Sequence, residues 1–139
     1  MSNESLERIL SSALTGFPAR VDAAYLFGSE ARGEASRGSD LDVAILLGGP
    51  RPGTLDEGGF DLAAALEATL QRPVDLVILN GAPVDLVARV LRDGRLLLDR
   101  NPSARIRFEV QARNEYFDLL PYRRQYRAAA LARAAGAVP

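Results

Sequence analysis

Two aspartates at the start of an apolar segment are the side chains best placed to do chemistry in this sequence. Asp40 and Asp42 are separated by one residue, and residues 41–47 form an apolar run typical of a buried strand. Alternate residues of a strand point to the same side, so both carboxylates would share a face, with Cα atoms about 6.5 to 7 Å apart. A divalent cation would relieve their repulsion. The alternative is a solvated pair at the start of a strand.

A third carboxylate lies in a separate apolar segment. Asp75 is the second residue of the run 74–79, in which apolar residues follow it on both faces of a predicted strand. An ionised carboxylate covered by apolar residues is costly unless a cation compensates for it. If this strand pairs beside residues 41–47, Asp75 can join Asp40 and Asp42 around one or two metal ions. An aspartate at a frayed strand start, pointing to solvent, is the alternative.

A glycine and a serine precede these carboxylates. Gly28 and Ser29 follow the apolar run 23–27 and come before a short predicted helix over residues 31–35. Glycine lets a phosphate approach the backbone, and the serine hydroxyl with nearby N–H groups can bind phosphate oxygens. Ten residues separate Ser29 from Asp40, which places a phosphate-binding loop beside the carboxylate pair. Taken alone, a Gly-Ser pair is also typical of an ordinary turn.

The composition restricts which reactions are available. The 139 residues include no cysteine and no histidine, which excludes thiolate nucleophiles, cysteine zinc sites and imidazole bases. All 17 positively charged residues are arginine, so no lysine can form a Schiff base or clamp a phosphate. Catalysis would depend on carboxylates, hydroxyls, arginine, backbone amides and an oxygen-preferring metal ion such as Mg2+.

Charge and hydropathy limit the partners. A net charge of -1 argues against broad nucleic-acid binding, although residues 100–133 hold eight arginines against three acidic residues. The longest apolar runs have the length of strands and are too short to span a bilayer, so no membrane association is expected. Residues 1–8 are mostly polar and do not resemble a signal peptide, and we therefore expect a cytoplasmic protein.

The spacing of apolar and turn-forming residues predicts a mixed α/β domain without an internal linker. Strands are predicted over residues 21–27, 41–47, 74–79 and 95–98, and helices over 5–14, 31–35, 60–70, 83–93 and from 101 onwards. Pro121 is expected to break or kink the last helix, on which Ile106, Val110, Phe117 and Leu120 share a face. Residues 1–100 would form the core and 101–139 a helical extension of the same domain.

Together these motifs resemble the signature of the polymerase-β-like nucleotidyltransferase superfamily. That signature is Gly-Ser, ten residues, Asp-x-Asp, and a third carboxylate on a later strand, and the resemblance covers about residues 21–98. The short chain and the sequence Ala-Arg-Gly at 31–33 are similar to the minimal nucleotidyltransferases. The resemblance implies a mixed four-stranded sheet with flanking helices. Glu30 departs from the pattern, since an acid there would weaken triphosphate binding unless it points outward or pairs with an arginine.

The resemblance also implies a reaction, the transfer of AMP from ATP. Gly28 and Ser29 would bind the β- and γ-phosphates, with Arg32 as a further nucleotide contact. Asp40 and Asp42 would ligate one or two Mg2+ ions. Asp75 would complete the metal site or accept the proton of the attacking hydroxyl. All three aspartates would be catalytic, and Arg37 is a second candidate for a phosphate contact.

The acceptor lies outside these motifs. Minimal nucleotidyltransferases are commonly paired with HEPN-domain ribonuclease toxins, so the resemblance implies an antitoxin that adds AMP to a tyrosine of such a toxin. The tyrosines and arginines of residues 113–127 suit a protein interface. Two alternatives are a small-molecule nucleotidyltransferase of the aminoglycoside-modifying kind, disfavoured by the short chain, and a non-catalytic antitoxin that acts by binding alone.

Overall fold

A four-stranded mixed sheet forms the centre of the computed structural model, which describes residues 3–15, 17, 20–28, 40–49 and 55–136. Its strands are β1 (Arg20–Phe27), β2 (Leu41–Gly48), β3 (Val74–Ile78) and β4 (Arg95–Asp99), in the spatial order β3-β2-β1-β4. β1 is antiparallel to both β2 and β4, whereas β2 and β3 are parallel. The helix predicted over 31–35 lies outside the described residues.

Four helices flank the sheet in the described ranges: α1 (Asn3–Ala13), α2 (Leu55–Leu70), α3 (Val84–Asp93) and α4 (Pro102–Ala134). A parallel strand pair needs a crossover, and α2 supplies it between β2 and β3. None of these helices combines the length and apolar character needed to cross a membrane.

Both faces of the sheet are buried. The period of two along β2 sends Leu41, Val43, Ile45 and Leu47 into the core under α1 and α2, and Ala44 and Leu46 into the core under α3 and α4. A strand covered on both faces needs apolar residues at every position, which explains the unbroken apolar run of 43–47. The mixed α/β architecture and the four predicted strands are confirmed, with ends shifted by one residue at most.

The start of α2 differs from the prediction. The helix begins at Leu55, five residues before the predicted Phe60, and runs through Gly58 and Gly59. A glycine inside a helix costs about 1 kcal/mol relative to alanine, which weakens a helix without forbidding it. Leu62 and Leu66 are buried under the sheet and anchor the helix there.

The pairing of β2 with β3 continues past the end of β3 through a side chain. The Leu79 N–H donates to the Ile45 carbonyl oxygen at 2.9 Å. The Leu47 N–H then donates to Asn80 Oδ1 at 2.8 Å, and Asn80 Nδ2 donates to the Leu47 carbonyl oxygen at 2.9 Å. The amide of Asn80 thus replaces one backbone rung of the ladder where the chain turns away at Gly81.

The last helix corrects a second prediction. α4 is continuous for 33 residues and contains Pro121 in its interior, so the expected break is wrong, and the alternative, a kink at Pro121, stays a prediction. Asn101 caps its start by accepting a hydrogen bond from the Ala104 N–H at 3.2 Å. Of the four residues predicted to share a face, Ile106, Val110 and Phe117 are exposed and Leu120 is partly buried. Ala112 and the partly buried Phe108 make the contact with the sheet instead.

Candidate functional site

The pairing of the strands brings three predicted site residues to one edge of the sheet. β1 is antiparallel to β2, so its last residue, Phe27, pairs with Asp42 near the start of β2. β3 is parallel to β2, so it also begins at this edge, and Asp42 pairs directly with Asp75. Gly28 follows Phe27. The structure thus places Gly28, just after β1, beside Asp42 of β2 and Asp75 of β3.

Gly28 is needed at its position for two reasons. Its φ of +72° lies in the left-handed region, which glycine adopts without the steric cost that other residues incur. In addition, a Cβ at this position would overlap the Asp42 carboxylate oxygen and lie 2.9 Å from Asp42 Cγ. The absence of a side chain therefore sets how closely the end of β1 approaches the Asp42 carboxylate.

A cleft opens beside these residues, between the sheet edge and α3. It has a volume of about 440 Å³, within the range of about 300 to 1,000 Å³ that is usual for small-molecule sites. Among the described residues, its lining includes Phe27, Gly28, Asp42, Asp75, Val77, Leu86, Arg89 and Asp93. The cleft is therefore large enough for a nucleotide and has two carboxylates of neighbouring strands in its wall.

The burial argument for Asp75 is corrected by the structure. Asp75 is exposed at the start of β3, although the residues after it are partly buried. Because the Asp75 carboxylate is exposed, it remains solvated and does not need a cation to compensate for burial. What makes the residue notable is its position, paired with Asp42 and open to the cleft.

Asp40 lies immediately before β2, where the next residue is held by a hydrogen bond from the Leu41 N–H to the Pro73 carbonyl oxygen at 2.9 Å. It is exposed and is not among the residues lining the cleft. Within the ranges that the structure describes, no three Asp, Glu, His or Cys side chains lie close enough together to hold a metal ion. Asp42 and Asp75 come together and Asp40 does not join them, so the role of all three as ligands remains a prediction.

The donor set nevertheless fits Mg2+. Mg2+ binds oxygen and commonly takes one or two carboxylates from the protein, completing its shell with water and substrate phosphates. Asp42 and Asp75 supply such a carboxylate pair, beside a glycine whose missing side chain leaves room for the Asp42 carboxylate. The remaining phosphate-site residues predicted from the sequence, Ser29 and Arg32, lie outside the described residues, as do Glu30 and Arg37.

Arg89 is the site residue that the sequence analysis missed. It projects from α3 into the cleft together with Leu86 and Asp93, three and four residues away on the same face of the helix. In the described part of the chain Arg89 has no ion-pair partner, whereas Arg92 on the same helix pairs with Asp93 at 3.0 Å. The helical spacing of residues 86, 89 and 93 indicates in the sequence that they share a face of α3. Only the packing of α3 shows that this face lies towards Asp42 and Asp75.

The buried carboxylate of the described chain is Asp22, which the sequence analysis did not single out. Its side chain accepts a hydrogen bond from Arg20 Nε at 3.0 Å, and a Cβ at Gly48 would collide with it. Asp22 lies near the beginning of β1, at the opposite end of that strand from the cleft. The ion pair of Asp22 with Arg20 therefore lies outside the cleft and has a structural role in β1.

Tyr25 forms a second buried polar group behind the cleft. Its hydroxyl donates to Glu109 Oε1 at 2.8 Å, and Arg105 bridges Glu109 at 3.2 Å and Asp99 at 3.1 Å. Burial, followed by the hydrogen bond to Glu109, raises the pKa of Tyr25 well above its ordinary value. Tyr25 therefore stays protonated and is no candidate for a base; it ties α4 to β1.

Three comparisons place the chain among known proteins. The profile of the family described as Polymerase beta, Nucleotidyltransferase matches residues 8–103. The protein adenylyltransferase MntA of Shewanella oneidensis is 37% identical over 79 residues, which are 56% of this chain and 54% of MntA. The chain therefore spans about half the length of the curated relative it matches.

Solved structures resemble the fold over nearly the whole chain. A crystal structure of a toxin-antitoxin with AMP-PNP superposes with a TM-score of 0.76 and 27% identity, covering 91% of this chain and 98% of the other. A structure of tri-AMPylated Shewanella oneidensis HEPN toxin in complex with MNT antitoxin has a TM-score of 0.73 and 24% identity, covering 94% and 100%. The second likeness shows the fold alone.

Proposed function

Because the chain belongs to the polymerase beta nucleotidyltransferase family, we propose that it transfers AMP from ATP to a hydroxyl group of a protein acceptor. The observation that carries this proposal is the pairing of Asp42 with Asp75 beside Gly28, at the wall of a cleft large enough for a nucleotide. The likeness to a protein adenylyltransferase and to a toxin-antitoxin structure with AMP-PNP supports the same reaction. We take the acceptor to be a tyrosine of a HEPN-type toxin, which makes this chain the antitoxin.

Gly28 and the residues beside it would bind the nucleotide. We place the triphosphate beside the turn at Gly28, which lies against the Asp42 carboxylate in the wall of the cleft. Asp42, with Asp40 and Asp75, would hold Mg2+, which neutralises phosphate charge when it is bound. Ser29 and Arg32 are proposed as further phosphate contacts.

Arg89 adds positive charge to a cleft whose wall is otherwise acidic. The described lining carries Asp42, Asp75 and Asp93 against the guanidinium of Arg89. A planar guanidinium binds two phosphate oxygens at once, and arginine commonly stabilises the charge that develops during phosphoryl transfer. The chain has no lysine that could do this instead. We therefore assign Arg89 as a contact to the phosphates of ATP.

Asp75 either completes the metal site or accepts the proton of the acceptor hydroxyl. In the reaction the acceptor hydroxyl oxygen bonds to the α-phosphorus, the bond between that phosphorus and the pyrophosphate oxygen breaks, and the hydroxyl proton must leave. No histidine is available, and the exposed carboxylate of Asp75 opens onto the cleft where the proton is released. The products are AMP-modified acceptor and pyrophosphate.

The test is a transfer assay on the intact acceptor. The chain is incubated with a purified HEPN-type toxin, ATP and Mg2+, and the toxin is weighed by intact-mass spectrometry. We expect a mass increase by whole AMP units on a tyrosine. An unchanged toxin mass, under conditions in which the two proteins bind each other, would overturn the enzymatic proposal and leave a binding antitoxin. Protection of cells by an Asp42→Ala chain at normal expression would point the same way.

A further inference from the structure

The outer end of α4 extends beyond the rest of the molecule. At about 1.5 Å per residue its 33 residues span about 50 Å. Every residue from 121 to 131 is exposed, so this stretch is not buried against the sheet or the other described helices, and only the ion pair of Arg123 with Asp85 links it to α3. We call residues 119–133 the overhang.

The overhang continues the face by which α4 contacts the body. Phe108 and Ala112 pack against the sheet, and Leu119, Tyr122 and Tyr126 follow them at helical spacing. These three side chains are 39%, 70% and 74% exposed. Long helices in proteins derive most of their stability from packing of an apolar face, and here that face is uncovered. Uncovered apolar side chains in such a row mark an interaction surface.

A cavity of about 350 Å³ adjoins the start of the overhang. Its apolar wall comes from Leu79, Val87, Phe108 and Ala112, and Glu115 lies at its α4 side, one turn before Leu119. Helix α3 lines this cavity through Val84 and Val87, and it lines the catalytic cleft through Leu86, Arg89 and Asp93. A partner that lies on the overhang and places a side chain in this cavity would therefore also contact the helix that borders the cleft.

The overhang is positively charged, which favours an acidic partner. Residues 119–133 contain four arginines and no acidic residue. Arg123 pairs with Asp85 of α3 and lies 6.0 Å from the centre of the Tyr116 ring, which holds the overhang against α3. Within the described residues Arg127 and Arg133 form no ion pair and remain for a partner, whereas Arg124 lies on the side of α4 that carries Phe117. Two copies of the overhang would bring like charges together, whereas an acidic partner would be attracted.

We propose that the overhang and the adjoining cavity form the surface on which the protein acceptor docks, through an acidic helix that carries apolar side chains. The spacing of three and four between Leu119, Tyr122 and Tyr126 is the spacing by which two helices interlock. Tyrosine and arginine are the residues that most often dominate binding energy at protein interfaces. This inference rests on the proposed function in one respect, that the acceptor is a protein.

The test measures the Kd of the full chain for the purified HEPN-type toxin by calorimetry. The double variant Tyr122→Ala/Tyr126→Ala removes the centre of the surface and keeps good helix formers, and we expect its Kd to rise at least ~10-fold. Phe117→Ala is the matched control, because Phe117 is 60% exposed but lies on the opposite side of α4 at about 3.6 residues per turn. Its Kd should stay within about twofold of wild type.

A second variant tests the charge. Arg127→Glu/Arg133→Glu should weaken binding to an acidic partner at low salt, and raised salt should reduce this loss of affinity, since exposed charges are screened. Circular dichroism confirms that α4 stays helical in each variant. Wild-type affinity of the tyrosine variant, or an equal loss in Phe117→Ala, would overturn the inference. So would equally tight binding of the wild-type chain to phosphatidylglycerol vesicles or to a short single-stranded RNA, lost in the same variants.

The failure of this inference and the failure of the proposed function give different results. If the wild-type chain binds the toxin through the overhang but transfers no AMP, the docking surface stands and the proposed reaction fails. If AMP is transferred with unchanged Kd and KM for the toxin in Tyr122→Ala/Tyr126→Ala, the reaction stands and the docking surface is overturned.

Discussion

The substitution Gly28→Ala tests the geometry of the site directly. Alanine at a φ of +72° costs about 1 to 2 kcal/mol of folding free energy. Its Cβ would also displace the Asp42 carboxylate, because Asp42 Cγ lies 2.9 Å and Cβ 3.3 Å from that position. The carboxylate must move by about 1 Å to relieve the overlap, and a misplacement of that size costs about 100-fold in rate. We expect kcat/KM for AMP transfer to fall by about that factor.

Gly49→Ala provides the matched control. Gly49 has a similar φ of +65°, but a Cβ there would lie 3.7 Å from the nearest atom, in the flexible guanidinium of Arg20. Both variants should lose about 1 to 2 kcal/mol in urea unfolding, since both have the same backbone penalty. Only Gly28→Ala should lose transfer activity, measured with labelled ATP at saturating acceptor. Wild-type kcat/KM in Gly28→Ala, with the stability loss present, would refute the reasoning that this close approach positions Asp42.

Three further perturbations test the phosphate contact, the sheet and a buried hydroxyl. Arg89→Ala should raise KM for ATP about 10-fold by removing a charge-assisted hydrogen bond, with Arg92→Ala unchanged; equal values in the two would contradict the assignment. Asn80→Leu should lower the free energy of unfolding by about 2 kcal/mol, because the Leu47 N–H and C=O lose their hydrogen-bond partners. An unchanged urea midpoint would show that these two hydrogen bonds do not stabilise the sheet. The pKa of Tyr25 is raised in the folded state, so the stability from its protonated form is present below the ordinary tyrosine pKa of about 10 and is lost as pH rises above it. Tyr25→Phe should therefore have a shallower decline in unfolding free energy above that pH, and an equal slope would contradict a buried, protonated hydroxyl.

Local sequence patterns predicted the strands, because a strand covered on both faces is a continuous apolar run. Residues 43–47 show this in the sequence as clearly as in the structure. Prediction failed where local rules were overridden. Gly58 and Gly59 lie inside α2, and Pro121 lies inside α4, because each costs a few kcal/mol at most and the surrounding helix is long enough to tolerate it.

The site could be predicted from the sequence only in part. The spacing of the motif suggested that Asp42 and Asp75 meet, but the register that pairs them is a property of the assembled sheet. Arg89 could not be found from spacing alone, because an arginine on an amphipathic helix usually points to solvent and only the packing of α3 turns this one to the cleft. The exposure of Asp75 was also misjudged, since its neighbours in the sequence are apolar while its partner on the adjacent strand is the carboxylate Asp42.

We propose that AMP transfer is centred on the sheet edge that holds Asp42. The most direct measurement compares single-turnover transfer of label from α-labelled ATP to the HEPN-type toxin by wild type, Asp42→Asn and Glu7→Gln. Glu7 is an exposed carboxylate on α1, on the other face of the sheet, so its amide variant is matched in chemistry and remote from the cleft. Wild type and Glu7→Gln should transfer at the same rate and Asp42→Asn at least ~1,000-fold more slowly, as for the loss of a main electrostatic contribution. Equal transfer by Asp42→Asn would show that this edge is not the centre of AMP transfer.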